Sequence, residues 1–150
     1  MEQALASSLD QRWPPSAERD ERFHWYSSAG WVMWNVQVAG LLQCTTICLY
    51  DGHPAWPEPD ALWRFAEGVQ ATFVGAGAAY YASCVKAGVS PRRATDVSRI
   101  RTLGSTGSPL SVEAYRWGWD EVREDVWWCV ISGGTDIASA FLAGTPALPT

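Results

Sequence analysis

Short apolar runs rich in β-branched and aromatic residues recur along this chain, each followed by a stretch with helical spacing. That alternation restricts the fold more than any other feature. RFHWYS (22–27), TTICLY (45–50), ATFVGA (71–76), SRIRTLG (98–104) and VWWCVIS (126–132) read as strands. Residues 30–42 read as a mostly buried helix, 61–68 as a helix capped by Asp60, and 78–87 as a helix ended by Gly88. Ser111 caps a further helix, with Glu113 in its first turn, where a carboxylate suits the helix dipole. Strands that alternate with helices imply βαβ units, so the fold class is α/β: a mainly parallel sheet with helices on both faces. Residues 1–21 are polar, are broken by Pro14 and Pro15, and read as a short helix followed by a loose connection.

Composition removes several classes of function. Hydrophobic residues make up 47% of the 150 positions and charged ones 18%, which is a globular balance rather than a disordered one. A net charge of -5 argues against nucleic acid as the main partner, because phosphate contacts need clustered Lys and Arg. Arg92 and Arg93 are adjacent, but two arginines in a Ser/Pro loop read as a solvated surface. Lys86 is the sole lysine, so no mechanism that needs two positioned lysines can run on these residues alone.

Cys44, Cys48, Cys84 and Cys129 lie apart in apolar runs, without CxxC spacing, and only His24 and His53 could add imidazole ligands. Four buried, reduced thiols in a cytoplasmic protein is the expectation. The N-terminus lacks the basic start and apolar core of a signal peptide. The most apolar stretch, 31–42, contains Asn35 and Gln37 and falls short of the roughly 20 apolar residues of a membrane span. The ten tryptophans are dispersed and read as packing residues.

Two glycine-rich turns carry the candidate chemistry. GSTGSP follows the fourth strand and SGGTD follows the fifth, so both belong on the rim where parallel sheets bind ligands. Gly104, Gly107, Gly133 and Gly134 could serve only as corners that need a positive φ. Alternatively they let backbone approach a flat base or a phosphate, with Ser108, Thr135 and Asp136 supplying hydroxyl and carboxylate oxygens. Thr135 can donate to a phosphate, and Asp136 can hold Mg2+ directly or through water.

From Arg22 to Thr150 the motifs WYSSAGWVMWN, LYDGHPAWP, STGSPLS and ISGGTDI occur in that order. The chain thereby resembles an internal segment of the acetoacetyl-CoA synthetases, adenylate-forming acyl-CoA ligases related to the acetyl-CoA synthetases. The resemblance implies an incomplete part of their large N-terminal domain: residues 22–150 as a partial AMP-binding domain, and 1–21 as a poorly matched segment. It implies acetoacetate–CoA ligation through an acyl-adenylate, with ATP, Mg2+ and CoA as cofactor and co-substrates. Gly107, Ser108, Pro109, Gly134 and Thr135 would line the nucleotide site, with Gly107 to Pro109 on its adenine side and Thr135 on the α-phosphate. Trp31, Val32, Thr106 and Gly133 would border the acyl group, and Asp136 would be the magnesium-associated acid. The related acetyl-CoA synthetases carry a tryptophan at the position of Gly133, which implies room here for a longer acyl group.

The resemblance also implies elements that these residues do not include. A lysine-ending Ser/Thr/Gly loop is expected before Phe23, and residues 1–22 hold no such run. A ribose-binding aspartate and an adenylation lysine on a mobile C-terminal domain are expected after Thr150. The isolated chain is therefore expected to lack a complete catalytic set and to need the remainder of a ligase. A non-catalytic nucleotide- or partner-binding remnant is the alternative reading.

Overall fold

Residues 20–144 are described by a computed structural model, and the expected N-terminal helix lies outside them. Each apolar run forms a strand, although the strands are offset from their sequence bounds. They are β1 (Arg22–Trp25), β2 (Thr46–Ile47), β3 (Phe73–Gly77), β4 (Thr102–Thr106), β5 (Trp127–Gly134) and β6 (Ser139–Ala143). The helices are α1 (Val32–Gly40), α2 (Ala61–Gly68), α3 (Ala78–Ala87), the short α4 (Pro91–Ala94) and α5 (Val112–Trp117). The sheet order is β2-β1-β3-β4-β5-β6; β1 to β5 are parallel and β6 runs antiparallel to β5.

Side-chain alternation along the strands divides the core in two. On one face Val74, Ala76, Leu103 and Trp128 pack against Trp63 and Ala66 of α2, Tyr81 and Cys84 of α3, and Ala114 and Trp117 of α5. On the other, Phe23, Trp25 and Phe73 meet only Met33, Val32 and Val36 of α1, with Cys129 and Ile131 beside them. Helices thus cover both faces, but unequally. The second face lies open beyond α1, and that opening positions the site.

Local departures have local causes. Only Met33, Gln37 and Gly40 of α1 are buried, and Val38, Leu41 and Leu42 are exposed, so the expected mostly buried helix is half-buried. Asp60 makes no side-chain cap on α2; its carboxylate pairs instead with Arg64 one turn on, at 2.8 Å. Ser111 does cap α5, its hydroxyl accepting from the Ala114 amide at 3.2 Å. Gly88 ends α3 with φ 64°, where a left-handed residue closes the helix. Residues 98 and 99 form a turn, closed by the Ile100 amide donating to the Val97 carbonyl at 3.0 Å, so the fourth strand starts later than its β-branched residues imply.

The cysteines also depart from expectation. Cys48 and Cys84 are buried, Cys129 is half-buried, and Cys44 is exposed in a left-handed conformation at φ 58°. Burial pushes the Cys48 and Cys84 thiols up, the opposite of what a nucleophilic thiolate needs.

His24 is buried between β1 and α2, its ring edge-on to Phe65 at 5.0 Å. Its Nδ1–H donates to the Cys48 carbonyl at 2.8 Å, and Nε2 has no partner among the described residues. Desolvation depresses its pKa, although the carbonyl favours the charged ring. The unfolded chain therefore takes up a proton near pH 6.5 that the folded chain refuses. Stability from this group is complete above about pH 6.5 and falls as the pH drops towards the folded pKa, by at most about 1.4 kcal/mol per pH unit. Thermal unfolding between pH 7.5 and 5 should show this slope, and His24→Asn should flatten it. Parallel curves for the two proteins would disprove the assignment.

Candidate functional site

The open half of the second face forms a cavity of about 390 Å3. Its rim comes from three separate pieces of chain: Trp31 and Val32 at the start of α1, Thr106 and Gly107 at the end of β4, and Gly133 to Thr135 at the end of β5. Parallel register explains why the last two meet. Ser105 pairs with Val130, so the C-terminal ends of β4 and β5 are neighbours.

A direct bond ties the third piece to the first. Trp31 offers α1 no side-chain cap, and the Thr135 hydroxyl takes that place, accepting from the Val32 amide at 3.2 Å. A hydroxyl that accepts at its oxygen still has its own O–H to donate. Thr135 can therefore hold the helix start and donate outward at the same time.

The walls and floor are apolar, with Trp25, Phe73, Met33, Trp127 and Ile131 among them. Trp25 fits against β3 and β4 because both strands carry glycine beneath its ring. A Cβ at Gly75 would lie 2.2 Å from the indole, and one at Gly104 would lie 2.4 Å from it. Phe73 packs beside it, with ring centroids 5.8 Å apart. The backbone of Trp25 is fixed as well. Beyond Phe23, β1 has no partner on its β2 side, and the buried Gln37 amide fills the gap. It accepts from the Trp25 amide and donates to the Trp25 carbonyl, both at 2.9 Å.

The residues expected at the site divide into those that line the cavity and those outside it. Trp31, Val32, Thr106, Gly107, Gly133, Gly134 and Thr135 all line it. Ser108, Pro109 and Asp136 do not, and all three are exposed. The glycines do not share one role. Among Gly104, Gly107, Gly133 and Gly134, only Gly107 has a positive φ, at 93°. Gly104 clears space for Trp25, and Gly133 lies in β5 beside a register shift, where a Cβ would meet the Ser139 carbonyl oxygen at 2.3 Å. SGGTD is also no strand-to-helix corner: it leads through a hairpin turn, in which Ala138 donates to the Thr135 carbonyl, into β6.

Sequence reasoning missed Trp25, Met33 and Gln37. The polar Gln37 within an apolar helical run was the available signal, since such a residue needs a buried partner. No three His, Cys, Asp or Glu side chains gather as a metal site among the described residues. Asp136 thus belongs to no such cluster, and a carboxylate placed this way suits Mg2+ in its usual mode of one or two carboxylates plus substrate phosphates. No helix among the described residues is long and apolar enough to cross a membrane. Lys86 is exposed in the last turn of α3, away from the cavity lining.

No family model matches the chain. The chain is 40% identical over 129 residues to an acetoacetyl-coenzyme A synthetase of Rhizobium meliloti (strain 1021), covering 86% of this chain and 20% of that protein. An acetoacetyl-CoA synthetase of Gallus gallus is 34% identical over 125 residues, covering 83% of this chain and 19% of its own length. Among solved structures, the acetoacetyl-CoA synthetase from Streptomyces lividans superposes with a TM-score of 0.82 at 50% identity, over 87% of this chain and 21% of that one. The chain thus spans about a fifth of the length of the relatives it matches. Over that fifth, the chain is similar in both sequence and fold to the acetoacetyl-CoA synthetases.

Proposed function

We propose that this chain supplies part of the nucleotide and acyl sites of an acetoacetate–CoA ligase. The reaction joins ATP, acetoacetate and CoA to give acetoacetyl-CoA, AMP and pyrophosphate. An acetoacetate oxygen attacks the α-phosphorus of ATP and pyrophosphate leaves. The CoA thiol then attacks the acyl carbon of the adenylate, and AMP leaves. Residues 22–150 are part of the AMP-binding domain in this reading, and 1–21 are the poorly matched N-terminal segment.

The observation that carries the proposal is one apolar cavity whose rim unites Val32, Thr106, Gly107 and Thr135. The acyl group would lie among Trp31, Val32, Thr106 and Gly133. Gly107, Ser108 and Pro109 would face the adenine, where the positive φ of Gly107 turns the chain and the absent side chain allows close approach. Gly134 and Thr135 would face the α-phosphate, with the Thr135 O–H donating to it while its oxygen keeps α1 in place. Mg2+ held by Asp136 and the substrate phosphates would neutralise charge during adenylation.

Titrating the 15N-labelled chain with a non-hydrolysable acetoacetyl-adenylate mimic tests this. Millimolar affinity is expected, with shifts at the Gly107, Gly134 and Thr135 amides and at the Trp31 indole. No perturbation of these signals at millimolar ligand would overturn the proposal. The 150-residue chain alone should release no AMP in an acetoacetate-dependent manner, because its one lysine lies outside the cavity lining.

A further inference from the structure

We propose that Trp25 is the floor of the acyl cavity and sets the length of acyl group it admits, an inference that rests on the acyl-site reading above. The indole has little freedom to withdraw. It lies against Gly75 and Gly104 in space where any other residue would place a Cβ, and the Gln37 amide clamps its backbone on both sides. Trp25 is 3% exposed and lines the cavity, so one face of a rigid ring meets whatever enters.

The depth follows from strand geometry. Gly104 and Thr106 lie two residues apart on the same face of β4, so the ring lies roughly 6–7 Å below the Thr106 rim. A four-carbon acyl chain has three carbon–carbon bonds of about 1.5 Å and reaches about 4 Å. Contact between its last carbon and the ring takes up about 3.5–4 Å. Together these come to about 7.5–8 Å, so four carbons already take up all of the space between rim and floor, and a six-carbon chain has no room above the indole.

The test uses the full 150-residue chain and two acyl-sulfamoyl adenosines, one carrying acetoacetyl and one hexanoyl, titrated by NMR at millimolar concentration. The wild-type chain should bind the acetoacetyl compound more tightly. Trp25→Ala should raise the hexanoyl-to-acetoacetyl affinity ratio about fifteenfold, since each newly buried methylene is worth about fourfold. Trp25→Leu keeps an apolar side chain in the core and should raise the ratio in the same direction by less. It decides the matter if Trp25→Ala does not fold by far-UV circular dichroism. A purely structural role would weaken both compounds alike and leave the ratio unmoved. Binding with an unchanged ratio, or a wild-type chain that takes hexanoyl as readily as acetoacetyl, overturns the inference and leaves the acyl-site reading standing. Failure of both compounds to perturb the wild-type chain overturns the two together.

Discussion

Trp128→Ala is expected to lower stability by about 3–5 kcal/mol, enough to unfold much of a chain whose total is on the order of 5–15 kcal/mol. Trp128 is 1% exposed and stands where β5 faces both α3 and α5. Its ring is edge-on to Tyr81 at 5.0 Å and to Tyr115 at 5.5 Å, and its Nε1 donates to the Tyr115 carbonyl at 3.3 Å. The surroundings are shaped to this one indole. A Cβ on Gly118 would come within 2.4 Å of it, so the chain after α5 passes over the ring at a glycine, in a wide π-type turn (Gly118–Val122). Truncation leaves a void that three elements must close together, and close packing limits how far they can move. Denaturant unfolding followed by far-UV circular dichroism measures the loss, with Trp128→Phe as the milder control. A cost below about 1 kcal/mol for the alanine variant would show that this part of the core collapses freely.

The strand and helix order was legible because period-2 and period-3.6 patterns depend only on which faces are buried. Ala78 to Ala87 with Gly88, and Ser111 before α5, were readable to the residue, since caps are local chemistry. The antiparallel β6 was not. SAFLA follows a glycine pair that resembles a strand-to-helix corner, and the pairing that makes it a strand lies across the hairpin, with Ser139 opposite Gly134. The rim of the site was legible for a topological reason, because turns after neighbouring parallel strands must share an edge. The floor was not, because Trp25 reaches the cavity only through two glycines on strands distant in sequence. A tryptophan in an apolar run looks like any core residue until the empty positions beneath it are known.

Gly133 is the residue at which a structural and a specificity role can be separated by experiment. Its position in β5 brings it so close to β6 that a Cβ would meet the Ser139 carbonyl oxygen at 2.3 Å and the Ala140 Cα at 2.8 Å, both of them backbone atoms. Any side chain here must push β6 aside, which costs about 1–3 kcal/mol by overpacking alone. A large side chain must in addition occupy the cavity that Gly133 lines. In a full-length acetoacetyl-CoA synthetase carrying this segment, Gly133→Ala should therefore lower the melting temperature while the acetoacetate-to-acetate ratio of kcat/KM stays near its starting value. Gly133→Trp should lower the melting temperature as well, and should also reduce that ratio by on the order of 100-fold, as filling an acyl pocket by more than a methylene does. The paired design makes the alanine variant the measure of backbone strain. Should both variants shift the ratio equally, the specificity effect comes from displacing β6, and with it Thr135 and its bond to Val32, rather than from the volume of the indole. Should neither shift it, Gly133 serves only the close approach of the two strands.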